Sequence, residues 1–219
     1  MQKLLLSRRH AVLAGGALLL SGAAARAAAP AAAPAAPSGA DQDAIAPIRA
    51  LNAGLIRIMR AGKATPFDRR FDMLAPEIDR AFDLPRILAV SVGEGWARLA
   101  AAEQTALLAA FRRYTVASYV ENFDSFDGQR IDLAPATRPV PGGAQVVLTT
   151  IVAPSGERHQ IDYVMRKTDS GWKAVDVLAD GSISRVAVQR SDFRQLLDHG
   201  GAPALVGSLT RKAEALARG

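Results

Sequence analysis

The chain changes its hydrophobic period twice. From Asp41 to Phe123 apolar side chains recur every three or four residues, the spacing of one helix face. From about residue 129 to 178 they alternate with polar ones, the spacing of half-buried strands. Past Gly181 the helical spacing returns.

Ile45, Ile48, Leu55 and Ile58 predict a first helix. Thr65-Pro66 reads as an N-cap followed by proline at the first helical position. Phe67, Phe71, Leu74, Ile78 and Phe82 continue behind it. Pro76 should break or kink that segment, because it has no N–H and its ring meets a carbonyl one turn back. Asp83 and Pro85 start a short helix through Ile87 and Leu88. The strongest helix is "AAEQTALLAAFRRYTVASYVENF", 101–123, with Leu107, Leu108, Phe111, Tyr114 and Tyr119 on a broad apolar face.

Strands are expected at 129–134, 144–152, 158–166 and 172–178. Their connections, "PATRPVPGG", "APSGER" and "KTDSG", are rich in the residues that turns require. Short connections make neighbouring strands antiparallel. "SISRVAVQR" begins extended; Ser191 then caps a helix through Phe193, Leu196 and Leu197, which Gly200-Gly201 stops. Pro203 opens a last helix with Leu205, Leu209, Ala213 and Leu216 inward. Helices, then strands, then helices predict an α+β fold. We expect N-terminal helices, a curved antiparallel sheet of about four strands and C-terminal helices. Such a cystatin-like or NTF2-like cone can enclose an apolar cavity on its concave side.

Composition adds the compartment. Residues 1–27 hold Lys3, Arg8 and Arg9, an apolar run from Ala11 to Leu20, and a small-residue "ARA" end. That is the layout of a secretory signal cleaved near Ala27, with an apolar core too short to span a bilayer. The pair in "SRRHAVL" resembles a twin-arginine signal; Sec export and an uncut anchor are the alternatives. Residues 28–40, "AAPAAAPAAPSGA", read as an Ala/Pro tether, and 41–219 as a single domain. The first 27 residues carry four of the 27 Lys and Arg and none of the 21 Asp and Glu, so the exported chain is close to neutral. The high overall pI is therefore no sign of nucleic-acid binding, and no basic run supports it. With no cysteine, an exported chain depends on its core alone.

Chemistry is sparse. Asp162 sits between Ile161 and Tyr163, and Asp176 between Val175 and Val177. Acids inside apolar strands allow two readings: a carboxylate pair acting as general base, or polar pegs accepting hydrogen bonds. His159, beside a turn, and His199, at a helix end, read as surface residues, which leaves no histidine partner or metal cluster. No G-x-S-x-G elbow is present. The remaining signal is apolar. Leu108, Phe111, Tyr114 and Tyr119 come from the long helix; Val147, Thr149, Ile151, Ile161, Tyr163, Met165, Val175 and Val177 from the strands; and Val186, Phe193 and Leu197 from the chain beyond. They either fill a core or line a lipid tunnel, and periodicity serves both equally.

Four stretches carry a resemblance. "FDLPRIL", "LLAAFRRYTVASYVENFDSFDGQ", "TTIVAPSGERHQIDYVMRK" and "GWKAVDVLADGSISRVAVQRSDFRQLL" resemble the MlaC family of toluene-tolerance auxiliary proteins, especially its hopanoid-associated HpnM branch. The turn "ADGSIS" is one residue longer than the usual acidic-Gly-apolar-Ser form. The resemblance implies a periplasmic carrier of phospholipid or hopanoid with no cofactor and no catalysis. It implies two partners, an outer-membrane lipoprotein complex and an inner-membrane ABC transporter with an MCE-domain subunit. It also implies that Trp172 and Asp176 are signature residues of the sheet. Two other readings remain for test: a small-molecule enzyme using Asp162 or Asp176 as base, and a ligand-free adaptor with an exposed apolar patch.

Overall fold

The computed structural model describes residues 38–218. The expected export signal, and the tether up to residue 37, lie outside the described residues. Among the described residues, five α-helices and one seven-stranded sheet make the fold: α1 (Gly39–Ala61), α2 (Phe67–Ala81), α3 (Leu84–Val92), α4 (Ala101–Asn122), β1 (Arg130–Leu133), β2 (Arg138–Val140), β3 (Ala144–Val147), β4 (Thr149–Val152), β5 (Arg158–Thr168), β6 (Gly171–Ala179), β7 (Ile183–Ser184) and α5 (Arg185–Arg218). A short 3-10 turn, Gly93–Arg98, joins α3 to α4. Every pairing between these strands is antiparallel.

α1 starts before Asp41, so Gly39 and Ala40 are helical rather than tether. Ser38 is the N-cap, and the reciprocal bonds of a capping box join it to Asp41. The other Asp41 oxygen accepts from the Thr137 N–H at 3.0 Å and the Thr137 hydroxyl at 2.5 Å. One carboxylate thus caps the first helix and moors it to the loop before β2. These hydrogen bonds, the Thr137 hydroxyl first, hold the Asp41 pKa well below the usual carboxylate range.

Two expectations for α2 need correction. Thr65 is not its cap; its hydroxyl donates to the Ala61 carbonyl at 3.0 Å, and the helix begins after Pro66. Pro76 does not end the helix, which runs on to Ala81. Pro76 lies on the exposed face, where solvent meets the freed carbonyl and a gentle bend is tolerated. Asp83 caps α3 as expected, accepting from the Arg86 N–H at 3.1 Å.

The expected strand 144–152 is two strands. β3 pairs with Tyr163–Met165 and β4 with Arg158–Gln160, so both lie along β5 as segments of one interrupted line. Asp162 fills the interruption. Its buried carboxylate accepts from the Thr149 N–H at 3.2 Å and from Gln160 Nε2 at 2.8 Å. The Leu148 carbonyl accepts from the Ala134 N–H. β2 falls inside what reads as turn, since Pro139 is admissible on an edge strand. With β7, these elements raise about four expected strands to seven.

A bulge alters β6. Val164 pairs with Asp176 and Met165 with Ala174, so Val175 is the extra residue. Strict alternation would have put Val175 on the face of Val177. Instead Ala174 and Val177 contribute to the apolar interior, and Val175 stands outside that cluster. Helix α5 begins at Arg185, six residues before Ser191, which is an interior residue and not its cap. It kinks at Gly201, as the Gly200-Gly201 pair predicts.

Candidate functional site

The apolar interior is built from all five helices and the strands. Phe111, Val147, Ile151, Tyr163, Met165, Val186 and Phe193 are buried in one continuous cluster. Leu108, Tyr114, Tyr119, Ile161, Val177 and Leu197 are half-buried and pack against it. Thr149 is buried, but its hydroxyl has no hydrogen-bond partner. Val175, turned by the bulge, stands outside this cluster.

Aromatic rings join these elements. Phe111 of α4 meets Phe193 of α5 edge-on at 6.2 Å between ring centres. Phe82, at the end of α2, touches Tyr119 at 5.8 Å and Tyr163 at 6.1 Å. The two tyrosine hydroxyls hydrogen-bond each other inside the protein, and burial pushes Tyr119 up to about 12. Burial also raises Tyr163 well above its ordinary value.

Phe82 also forms the floor of an open cleft of about 370 Å³ with Leu84, Pro85 and Leu108. Its rim is charged. Arg112 grips Asp79 through Nε at 2.8 Å and Nη2 at 2.6 Å, and this bidentate bond raises the Arg112 pKa. Lys173 donates from Nζ to the Asp79 carbonyl at 2.8 Å, tying β6 to the last turn of α2. One aromatic side chain thus connects a surface opening with the interior pair. The sequence puts Leu108 on the apolar face of the long helix and gives no sign of this cleft, because nothing in the spacing of Phe82, Arg112 and Lys173 shows that α2, α4 and the β5–β6 hairpin converge.

The two candidate acids have structural employment. Asp176 Oδ1 accepts from the Val186 N–H at 3.1 Å and the Val177 N–H at 2.7 Å; its Oδ2 accepts from the Ser184 hydroxyl at 2.5 Å. Ser184 Oγ in turn accepts from the Ala187 N–H at 2.9 Å. Together they satisfy the first free N–H groups of α5. Asp162 is committed to the break between β3 and β4. The pair lie on neighbouring strands, but each serves the backbone, which agrees with the peg reading. His159 pairs with Glu157 at 3.3 Å, and His199 meets the Gln195 carbonyl at 2.7 Å. Among the described residues, no group of three or more His, Asp or Glu is placed to hold a metal ion. Among the same residues, no helix is long and apolar enough to cross a membrane.

No curated protein matches the chain. A solved structure from Ralstonia solanacearum, a phospholipid-binding protein in complex with a phospholipid, superposes with a TM-score of 0.69. The match covers 80% of this chain and 99% of that one at 20% sequence identity, which establishes a common fold. The model of the MlaC protein family matches residues 49–211, from inside α1 to inside the last half of α5. The chain belongs to the MlaC family.

Proposed function

We propose that this protein is a periplasmic lipid carrier. It takes a phospholipid or hopanoid-type lipid between an outer-membrane lipoprotein complex and an inner-membrane ABC transporter with an MCE-domain subunit. The observation that carries the reading is the apolar interior between helices and sheet in a chain of the MlaC family. The shared fold with a phospholipid complex supports it.

The physics of the task fits the side chains. Each lipid CH₂ hidden from water is worth about 0.8 kcal/mol, so a lipid with two tails does not cross an aqueous gap alone. A carrier lends it a dry interior and needs no bond-making residue, which is why the reading is of a binding and transport protein and not an enzyme. Release requires that the lining give way. The kink at Gly201 and the helix pair α4–α5 are the elements able to do so, since they meet through side chains and not through a hydrogen-bonded ladder.

Mass spectrometry of organic extracts tests this. Protein exported to the periplasm and purified without detergent should carry stoichiometric phospholipid or hopanoid. A lipid-free protein that also fails to take up fluorescent lipid analogues would overturn the proposal.

A further inference from the structure

Asn52 is the odd residue on the apolar stripe of α1. Ile45, Ile48, Leu55 and Met59 share that stripe, and all are buried. Asn52 is 6% exposed, and neither its Oδ1 nor its Nδ2 has a hydrogen-bond partner. A carboxamide offers two donor hydrogens and an acceptor oxygen with two lone pairs. Leaving all of them unmet in an apolar interior is costly, because the bonds lost from water are not replaced. Buried polar groups are as a rule partnered, so this one calls for a group that the chain does not itself supply.

Its position narrows what that group is. Gly54 faces α2, since a Cβ there would meet Glu77 and Leu74. At 100° per residue, Asn52 stands roughly 160° around the helix from Gly54. The remaining partners of α1 are α4 and the strands β1, β3, β5 and β6. Asn52 therefore looks away from α2, toward the interior that the carrier reading gives to lipid. The sheet holds a second unmet group, the Thr149 hydroxyl, in a residue only 2% exposed. Both side chains can donate a hydrogen bond. Hydrocarbon tails and polycyclic rings offer nothing to accept one. The ester carbonyls at the root of acyl tails do, and they lie just inside the apolar zone of the molecule.

We propose that Asn52, with Thr149, receives the ester carbonyls of a diacyl lipid, and that this contact makes the interior selective for ester-linked tails. The inference rests on the carrier reading and sharpens its ligand. The test uses delipidated full-length exported protein and two phosphatidylglycerols of equal chain length, one diacyl and one dialkyl ether. Wild type should bind the diacyl lipid about tenfold more tightly, the scale expected when a site built for a polar partner meets an analogue lacking it. Asn52→Leu should bring that ratio to about one. Delipidated Asn52→Leu should also melt higher than delipidated wild type, because the orphan amide is gone. Equal binding of the two lipids by wild type overturns this inference alone, including the case in which the amide merely holds water. Survival of the ratio in Asn52→Leu overturns it as well. Failure of wild type to bind either lipid overturns the carrier reading and this inference with it. Should Asn52→Leu not fold, the wild-type ratio still decides.

Discussion

At the scale of residues, single carboxylates and phenols bear more of the fold than their number suggests. Asp176 serves the neighbouring Val177 N–H of β6, and the Val186 N–H and Ser184 hydroxyl at the start of α5. Asp176→Asn should therefore lower stability by about 2 kcal/mol, the scale of a lost cap plus a weakened acceptor. Urea denaturation checks this, and a variant as stable as wild type would refute the capping role. Asp41 makes a pH prediction. Its pKa is depressed in the fold, so its stabilisation is complete above the unfolded value of about 4 and is lost as pH falls below it. Asp41→Asn should flatten the acid limb of a stability-versus-pH curve followed by circular dichroism. Tyr119 has the opposite sign of dependence. With its folded value at about 12 and an unfolded value near 10, its contribution is complete below about pH 10 and disappears as pH climbs toward about 12. Tyr119→Phe should lose less stability between about pH 9 and about pH 11 than wild type does.

At the scale of elements, the sequence was legible where one period dominated. α1, α3, α4 and the hairpins around β5 and β6 follow from apolar spacing and turn residues. The misses share a cause: a side chain or a tertiary neighbour overrode the local pattern. No turn residue interrupts 144–152, yet the strand breaks there, where Asp162, thirteen residues later, takes the Thr149 N–H. Ser191 has the chemistry of a cap, but Ser184 and Asp176 had already started the helix. The Val175 bulge leaves no mark in a run of alternating valines. Asp162→Leu would orphan the Thr149 N–H and cost about 2–3 kcal/mol, measurable by chemical denaturation. The Gly201 kink has φ 61° and ψ −161°, a region open essentially to glycine alone. Gly201→Ala should cost about 1–3 kcal/mol and straighten or fray the helix there, which amide exchange across 196–206 would show.

At the scale of the whole molecule, the candidate interior was legible as a list of apolar residues but not as a place. Packed core and lipid wall draw on the same side chains, so pattern names the residues and only the fold brings them together. Phe82 shows the limit well: it reads as one more apolar position of α2, and the structure makes it the link between cleft and tyrosine pair. Asn52 shows the converse, a polar residue inside a helical stripe whose isolation appears only when its surroundings are known. If the interior holds lipid, loading must stabilise the folded state by mass action. Free lipid at a hundredfold over Kd should add about 2.7 kcal/mol, seen as a concentration-dependent rise in Tm by scanning calorimetry. A Tm indifferent to lipid would contradict the carrier reading.

The mooring of the first helix has a consequence in time. Thr137 follows Asp41 by 96 residues. A ribosome adds roughly 5–20 residues per second, so the anchor emerges on the order of 5–20 s after the helix it secures. For that interval the amphipathic stripe of α1 has neither its latch nor the strands it rests on. The start of the fold therefore cannot lock before its middle has been made.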